Sequence, residues 1–141
     1  MRYCRIVFDN KMPSIRSVHT AKAATPSGHY SQATIHGDLA FVSGILPIEP
    51  DGSHNSTCPF SDQANCVLRN ATVILQAAGC GFSDVVKTTV YVTDIASWAE
   101  FDSVYAEFFG DHRPARAVVP VPVLHHGFSI EMELIASVPN K

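Results

Sequence analysis

The chain has 141 residues, 46% of them hydrophobic, a size that predicts one domain with a substantial core. Its formal net charge of −3, with ten scattered lysines and arginines, argues against a nucleic-acid partner. No stretch approaches the roughly 18 apolar residues of a membrane span, and the N-terminus lacks the pattern of a signal peptide. We therefore expect a cytoplasmic protein without a membrane partner.

Four cysteines and seven histidines raise the question of disulfides and metal sites. The cysteines include no C-x-x-C pair, and a chain of this size does not need disulfides, so we expect reduced thiols. No two histidines lie four residues apart on a predicted helix. We therefore expect no metal site.

The first predicted elements are an N-terminal extension and a hairpin. Residues 1–18 show no hydrophobic period and are assigned to the extension, with one short strand around residues 4–8. Residues 19–141 are assigned to the single domain. Within it, β-prone runs at 33–36 and 39–43 flank a turn, which predicts two paired strands.

A helix is predicted from Ser61 because apolar residues recur at i, i+3, i+4 and i+7 as far as Ala78. Ser61 or Asp62 is expected to cap its start, and Gly79 and Gly81 to end it.

A β-branched strand follows at residues 84–93, and its alternation places Val86 on the same face as Val90. A second helix is predicted to begin at the capping-box pattern of Ser97 and Glu100 and to end at Gly110. Its aromatic face, expected to lie in the core, consists of Trp98, Phe101, Tyr105, Phe108 and Phe109.

The chain closes with predicted strands at 115–123 and 128–138, joined by a turn at 125–127. The order β-β-α-β-α-β-β predicts an α+β fold, a sheet with two helices on one face. The strand at 115–123 is apolar on both faces, although the helices can cover only one. A second subunit is therefore expected on the other face, which predicts a homo-oligomer.

Arg116 is a lone charge at the start of this apolar strand. One interpretation is an ion pair with Asp111, Glu131 or Glu133. The other is a clamp for a small carboxylate, because a guanidinium presents a planar fork of donors that matches a carboxylate.

Glu131 lies on the polar face of the last strand, between apolar neighbours. A carboxyl group in such a place can have a raised pKa and exchange protons with water. The alternative is an ordinary solvated strand residue. Because the chain has no Ser-His-Asp order, P-loop, G-x-G-x-x-G or H-E-x-x-H pattern, the residues alone predict an oligomeric α+β domain with a candidate carboxylate pocket.

Six segments carry a further signal: GHYSQA at 28–33, FVSG at 41–44, VVKTTVYVTD at 85–94, YAEFF at 105–109, RPAR at 113–116 and IEME at 130–133. In their order and spacing they resemble the Rid (YjgF) family of enamine/imine deaminases, over residues 24–139. The resemblance implies a chorismate-mutase-like fold assembled as a homotrimer, with helices outside and three pockets at the subunit interfaces.

The resemblance also implies an activity and a site. The reaction is hydrolysis of 2-enamino or 2-imino acids, such as 2-iminopropionate, to 2-keto acids and ammonia, without a metal or organic cofactor. Arg116 would bind the substrate carboxylate in a bidentate manner, and Glu131 would position the water. Tyr30 would line the pocket, and the backbone of Ser43 and Gly44 would contribute hydrogen bonds.

Three positions depart from the family pattern and bear on the substrate. Leu46 stands near a common glutamine, Asp102 replaces a common asparagine, and Val118 replaces a cysteine or threonine. Asp102 and Val118 remain predicted substrate-binding residues, Val118 through its backbone N–H. The alternatives are a pathway-specific deaminase of a larger enamine, such as 2-aminomuconate, and a non-enzymatic trimeric ligand-binding or chaperone-like protein. The retained Arg116 argues against the last.

Overall fold

The computed structural model describes residues 14–139, so the strand predicted around residues 4–8 lies outside the described residues. The elements are β1 (Arg16–Val18), β2 (Ala33–His36), β3 (Leu39–Ile45), α1 (Phe60–Ala78), β4 (Val85–Val92), α2 (Trp98–Phe109), β5 (Ala115–Pro120) and β6 (Ile130–Ser137). The predicted order of strands and helices is present. Strand β1, which comes from the segment assigned to the extension, is an addition.

The described strands form one six-stranded mixed sheet in the order β1-β2-β3-β6-β4-β5. Neighbouring strands are antiparallel except β4 and β5, which are parallel because α2 carries the chain back between them. Both helices pack on one face, and the core lies between them and the sheet. Within residues 14–139 the opposite face carries no helix, so the expected second subunit on that face stays a prediction.

The ends of α1 match the prediction at one end only. Neither Ser61 nor Asp62 caps the helix, because it begins at Phe60 and both residues lie in its first turn. At the other end Gly79 adopts the left-handed conformation, with φ 86°. The Cys80 N–H donates to the Leu75 carbonyl at 3.0 Å, which is the hydrogen bond of a Schellman C-cap.

The predicted capping box of α2 is wrong. A short 3₁₀ turn precedes this helix, and the Asp94 side chain accepts a 2.9 Å hydrogen bond from the Ala96 N–H. The Glu100 carboxylate instead accepts from the Ser61 N–H at 3.2 Å, so it caps the neighbouring helix α1. An acidic residue near a helix start can serve either helix, and spacing along the chain does not distinguish the two.

The predicted faces of β4 hold from Thr88 onwards but fail at its start. Val86 is 51% exposed, whereas Val85 is buried. The pairing with β6 shifts between Val85 and Lys87, and such an irregularity reverses the alternation of side chains.

Two further findings concern the cysteines and the helices. Cys58, Cys66 and Cys80 are free thiols, and Cys4 lies outside the described residues. Within residues 14–139 neither helix has the length and apolar character needed to span a bilayer.

Candidate active site

The predicted site residues fall into two groups on opposite faces of the sheet. Arg116 pairs with Thr88 across the β4–β5 ladder, and the Thr88 hydroxyl lies 3.0 Å from the Tyr105 hydroxyl of α2, so this face is covered by helix. Glu131 pairs with Tyr91 across the β4–β6 ladder, three positions along β4 from Thr88. Because side chains alternate along a strand, Glu131 lies on the face without helices.

The first group, the arginine cluster, joins Arg116 to one stripe of α2. Trp98, Phe101, Asp102 and Tyr105 follow the i, i+3, i+4, i+7 spacing and therefore face the same way. The guanidinium carbon of Arg116 lies 4.7, 5.5 and 5.7 Å from the ring centroids of Tyr105, Trp98 and Phe101. These contacts are within cation–π distance and hold the guanidinium against the helix.

Asp102 completes the arginine cluster. Arg116 Nη2 donates to Asp102 Oδ1 at 2.7 Å, with the two side chains 19% and 47% exposed. The ion pair therefore forms with an acid other than the three considered from the sequence. Asp111, Glu131 and Glu133 make no ion pair with Arg116 within the described part of the chain.

The pair leaves much of the guanidinium fork available. The Nη2–Oδ1 bond is the sole hydrogen bond of the Arg116 side chain within residues 14–139. A guanidinium has five N–H donors, all directed along its edge. A carboxylate that approached this edge would meet an unused part of the fork. Val118 follows on the same face of β5, half-buried against the core.

The second group, the glutamate cluster, consists of Tyr30, Ser43, Gly44 and Glu131. The register between β3 and β6 shifts between Val42 and Ile45, which places Ser43 and Gly44 at a bulge. A Cβ atom on Gly44 would collide with Glu131 Oε1, so the close approach of the carboxylate requires glycine at this position.

The environment of Glu131 suits proton transfer. Burial raises the pKa of its carboxyl group, the negative charge of Glu133 raises the pKa further, and His125 lowers it. A carboxyl group whose pKa lies above its usual range can accept a proton from water and return it near neutral pH. Half-burial rather than full solvation therefore distinguishes Glu131 from an ordinary strand residue.

Ser43 is tied to the neighbouring chain segment. Its N–H donates to the Gln32 carbonyl at 3.1 Å, and its hydroxyl donates to the Ser31 carbonyl at 2.7 Å. These bonds fix the bulge. Gly44 is exposed and lines the adjoining cavity.

A cavity of about 290 Å³ adjoins the glutamate cluster; Tyr30, Ser43 and Gly44 line it, whereas Glu131 does not. Its wall is largely apolar, with Ile45, Leu46 and Ile74 among its members, and His54, His126 and Asp51 add polar groups. No sequence pattern indicated a role for His54 and His126, whose rings lie 4.7 Å apart. They come from distant loops, and no local spacing relates them.

The aromatic residues of α2 were assigned to the core without reference to Arg116. Phe101 and Tyr105 are indeed buried, but Trp98 is 44% exposed and contacts the guanidinium. The helical spacing of Asp102 with Trp98 and Tyr105 was the signal that could have identified the arginine cluster.

Residues 14–139 contain no group of three or more His, Cys, Asp or Glu that could hold a metal ion.

Comparison with known proteins places the chain among relatives. A profile described as Endoribonuclease L-PSP matches residues 20–138. A RutC family protein of Pyrococcus abyssi is 41% identical over 119 residues, which cover 84% of this chain and 94% of the relative. Human 2-iminobutanoate/2-iminopropanoate deaminase is 36% identical over 121 residues, covering 86% and 88% of the two chains.

Solved structures agree with these sequence matches. The crystal structure of E. coli TdcF with bound serine superposes with a TM-score of 0.81 at 33% identity, covering 86% of this chain and 98% of TdcF. Both the sequence profile and the fold therefore extend over most of the chain. It belongs to the Endoribonuclease L-PSP family, which is the Rid (YjgF) family that the six sequence segments resemble.

Proposed function

We propose that this protein hydrolyses reactive 2-enamino and 2-imino acids to 2-keto acids and ammonia. The observation that carries the proposal is Arg116, a largely buried cation whose faces pack on aromatic rings and whose edge retains free donors. Such a group suits a small carboxylate, which is the partner expected from the family resemblance. The human relative is named for deamination of 2-iminobutanoate and 2-iminopropanoate. The bound ligand of TdcF, serine, also carries a carboxylate beside a nitrogen.

The reaction needs positioning and proton transfer. Arg116 would hold the substrate carboxylate in a bidentate manner, with Val118 offering its backbone N–H beside it. Glu131 would take a proton from a water molecule as the water oxygen bonds to the imine carbon. Glu131 passes this proton to the nitrogen, and the new hydroxyl group then gives its remaining proton to the nitrogen through Glu131 as the carbon–nitrogen bond breaks, leaving ammonia and a 2-keto acid. Tyr30 and the backbone at Ser43 and Gly44 would form the wall that orients the substrate.

The two clusters lie on opposite faces of one sheet, so a site that uses both requires a second chain. We infer a homotrimer in which the arginine cluster of one subunit faces the glutamate cluster of its neighbour. This arrangement would also cover the sheet face that carries no helix. Head-to-tail contacts of this kind close into a ring when the rotation between subunits is favourable.

A ribonuclease activity, as the family description suggests, is less favoured by the chain's charge. A protein that binds a nucleic-acid backbone uses clustered lysines and arginines. This chain has a net charge of −3, and Arg116, its best-placed cation, is already paired with Asp102.

The cavity beside the glutamate cluster supports a second candidate substrate. A volume of about 290 Å³ equals about ten water molecules, far more than a three-carbon imino acid fills. A larger enamine, such as 2-aminomuconate, could place its chain there. A larger substrate would change the physiological role but not the roles proposed for Arg116 and Glu131.

The proposal is tested by generating 2-iminopropionate in situ and following its decay with and without the protein, with 2-aminomuconate tested in parallel. Arg116→Ala should reduce kcat/KM by the equivalent of roughly 2–5 kcal/mol, because a desolvated charged contact is lost. Arg69→Ala is the matched control, since Arg69 forms an exposed ion pair with Glu49 and belongs to neither cluster. No acceleration of either substrate by the wild type, or equal activity in Arg116→Ala, would refute the proposal.

A further inference from the structure

At the exposed edge of the arginine cluster, the hydrogen-bond acceptor Asp102 lies beside the hydrogen-bond donor Arg116. We propose that Asp102 is a specificity-determining residue that favours the imino acid substrate over the keto acid product. The inference rests on the proposed function and adds to it a residue that separates the two ends of the reaction.

The contact between the two residues is one-sided. Only Oδ1 of Asp102 bonds to Arg116, and Oδ2 makes no hydrogen bond within residues 14–139. The Asp102 side chain is 47% exposed, so this second oxygen is accessible to a ligand. A carboxylate bound at the remaining guanidinium N–H groups would therefore lie next to a negatively charged acceptor.

Asp102 is not the only group that holds Arg116 in place, because aromatic rings also contact its guanidinium. Tyr105, Trp98 and Phe101 all contact the guanidinium within 5.7 Å. None of these contacts involves the Asp102 carboxylate. A role in ligand selection can thus be separated by experiment from a role in holding Arg116.

The substrate and product differ in the group that would face Asp102. In a protonated 2-imino acid, an N–H donor stands beside the carboxylate, and Asp102 can accept its hydrogen bond. In a 2-keto acid a carbonyl oxygen occupies that place, so two acceptors meet across a gap without a hydrogen. The keto acid also brings its negative charge close to Asp102 without a compensating positive group.

Asp102 would consequently weaken product binding and speed product release. Solvent reaches Asp102, so the effect is smaller than for a buried charge. We expect removal of its charge to change the ratio of keto acid to zwitterion affinity by about tenfold, which corresponds to one well-placed but partly screened charge.

The test measures binding of pyruvate and of alanine, whose ammonium group stands beside its carboxylate as the iminium does. Wild-type protein should bind alanine more tightly than pyruvate, a measurement that needs no variant. Asp102→Asn keeps an oxygen for Arg116 and removes the charge, so pyruvate should bind about tenfold more tightly relative to alanine. Asp102→Glu should retain the wild-type preference.

Glu107→Gln provides the matched control, because Glu107 lies exposed on the same helix and the change removes the same charge. It should leave the ratio of affinities unchanged. A purely structural role for Asp102 would lower the affinity for both ligands together. An unchanged ratio in Asp102→Asn, tighter binding of pyruvate than alanine by the wild type, or no binding of either ligand would each overturn the inference.

These measurements do not depend on turnover. A wild type that fails to hydrolyse imines yet shows the shift in ratio would refute the proposed function and retain charge selection by Asp102. A wild type that hydrolyses imines while Asp102→Asn keeps the ratio would retain the function and refute the inference.

Discussion

The arginine cluster and the glutamate cluster handle charge in different ways. Arg116 lies on the helix-covered face, where three rings and the Asp102 carboxylate surround it. Glu131 lies on the uncovered face, half-buried over Gly44, with a raised pKa and no ion pair within the described residues.

The difference follows from the chemistry of the two groups. A guanidinium cannot lose its proton in a protein, so burying it requires a counter-charge or an electron-rich surface. A carboxyl group can be protonated instead, and partial burial then moves its pKa toward neutrality. The first arrangement suits a permanent anchor and the second suits a proton carrier. An imine hydrolase needs one of each.

The largest effect is expected for Glu131→Gln, which tests the proton-carrying role proposed for the glutamate cluster. It keeps the size of the side chain and removes the base, so kcat should fall by roughly 10²–10⁴-fold, the usual contribution of a general acid–base. Binding of pyruvate at Arg116, measured by calorimetry, should change little.

Glu133→Gln is the control for this change, since Glu133 lies two residues away on the same face of β6 and is exposed. It should retain turnover near neutral pH. A Glu131→Gln protein with wild-type kcat would show that water activation occurs elsewhere and would leave the glutamate cluster without a catalytic role.

Mixing two inactive variants should show whether the clusters meet across subunits. If each site takes Arg116 from one chain and Glu131 from its neighbour, random assembly of Arg116→Ala with Glu131→Gln leaves about a quarter of the sites intact. Activity should recover to about that fraction after the two proteins are denatured and refolded together. No recovery, with mixed oligomers demonstrated by differential tags, would favour a site within one chain.

Much of the fold could be predicted from the sequence because its signals are local. The apolar period of α1 and its end at Gly79 are properties of neighbouring residues. The predicted face of Val86 was wrong because the register between β4 and β6 shifts at this point. The predicted cap of α2 was wrong because Glu100 contacts the neighbouring helix instead. Strand β1 was missed because three residues carry too short a pattern, and it is defined only by its pairing with β2.

The sequence could nominate candidate site residues but not their geometry. Arg116 and Glu131 stand out by type and position, and the family resemblance supplies their roles. The pairing of Arg116 with Asp102 depends on how α2 lies against β5, a tertiary property. The alternation of side chains predicts which residues of the same strand share a face with Arg116 or with Glu131. The register between β4, β5 and β6 is needed to show that these are opposite faces of the sheet.

The smallest expected effect concerns how the glutamate cluster is tuned. Glu131 must be ionised to act as a base, so activity should fall as pH drops through its pKa, which burial and the charge of Glu133 hold above the usual range. Glu133→Gln removes the second contribution and lowers the pKa of Glu131. The acid limb of the kcat/KM profile should therefore move to lower pH. Arg69→Gln, a charge change at an exposed ion pair, should leave this limb in place. A limb that stays fixed in Glu133→Gln would mean that another group controls it. The contrast between a permanent cation and a tuned carboxyl would then lose its second half.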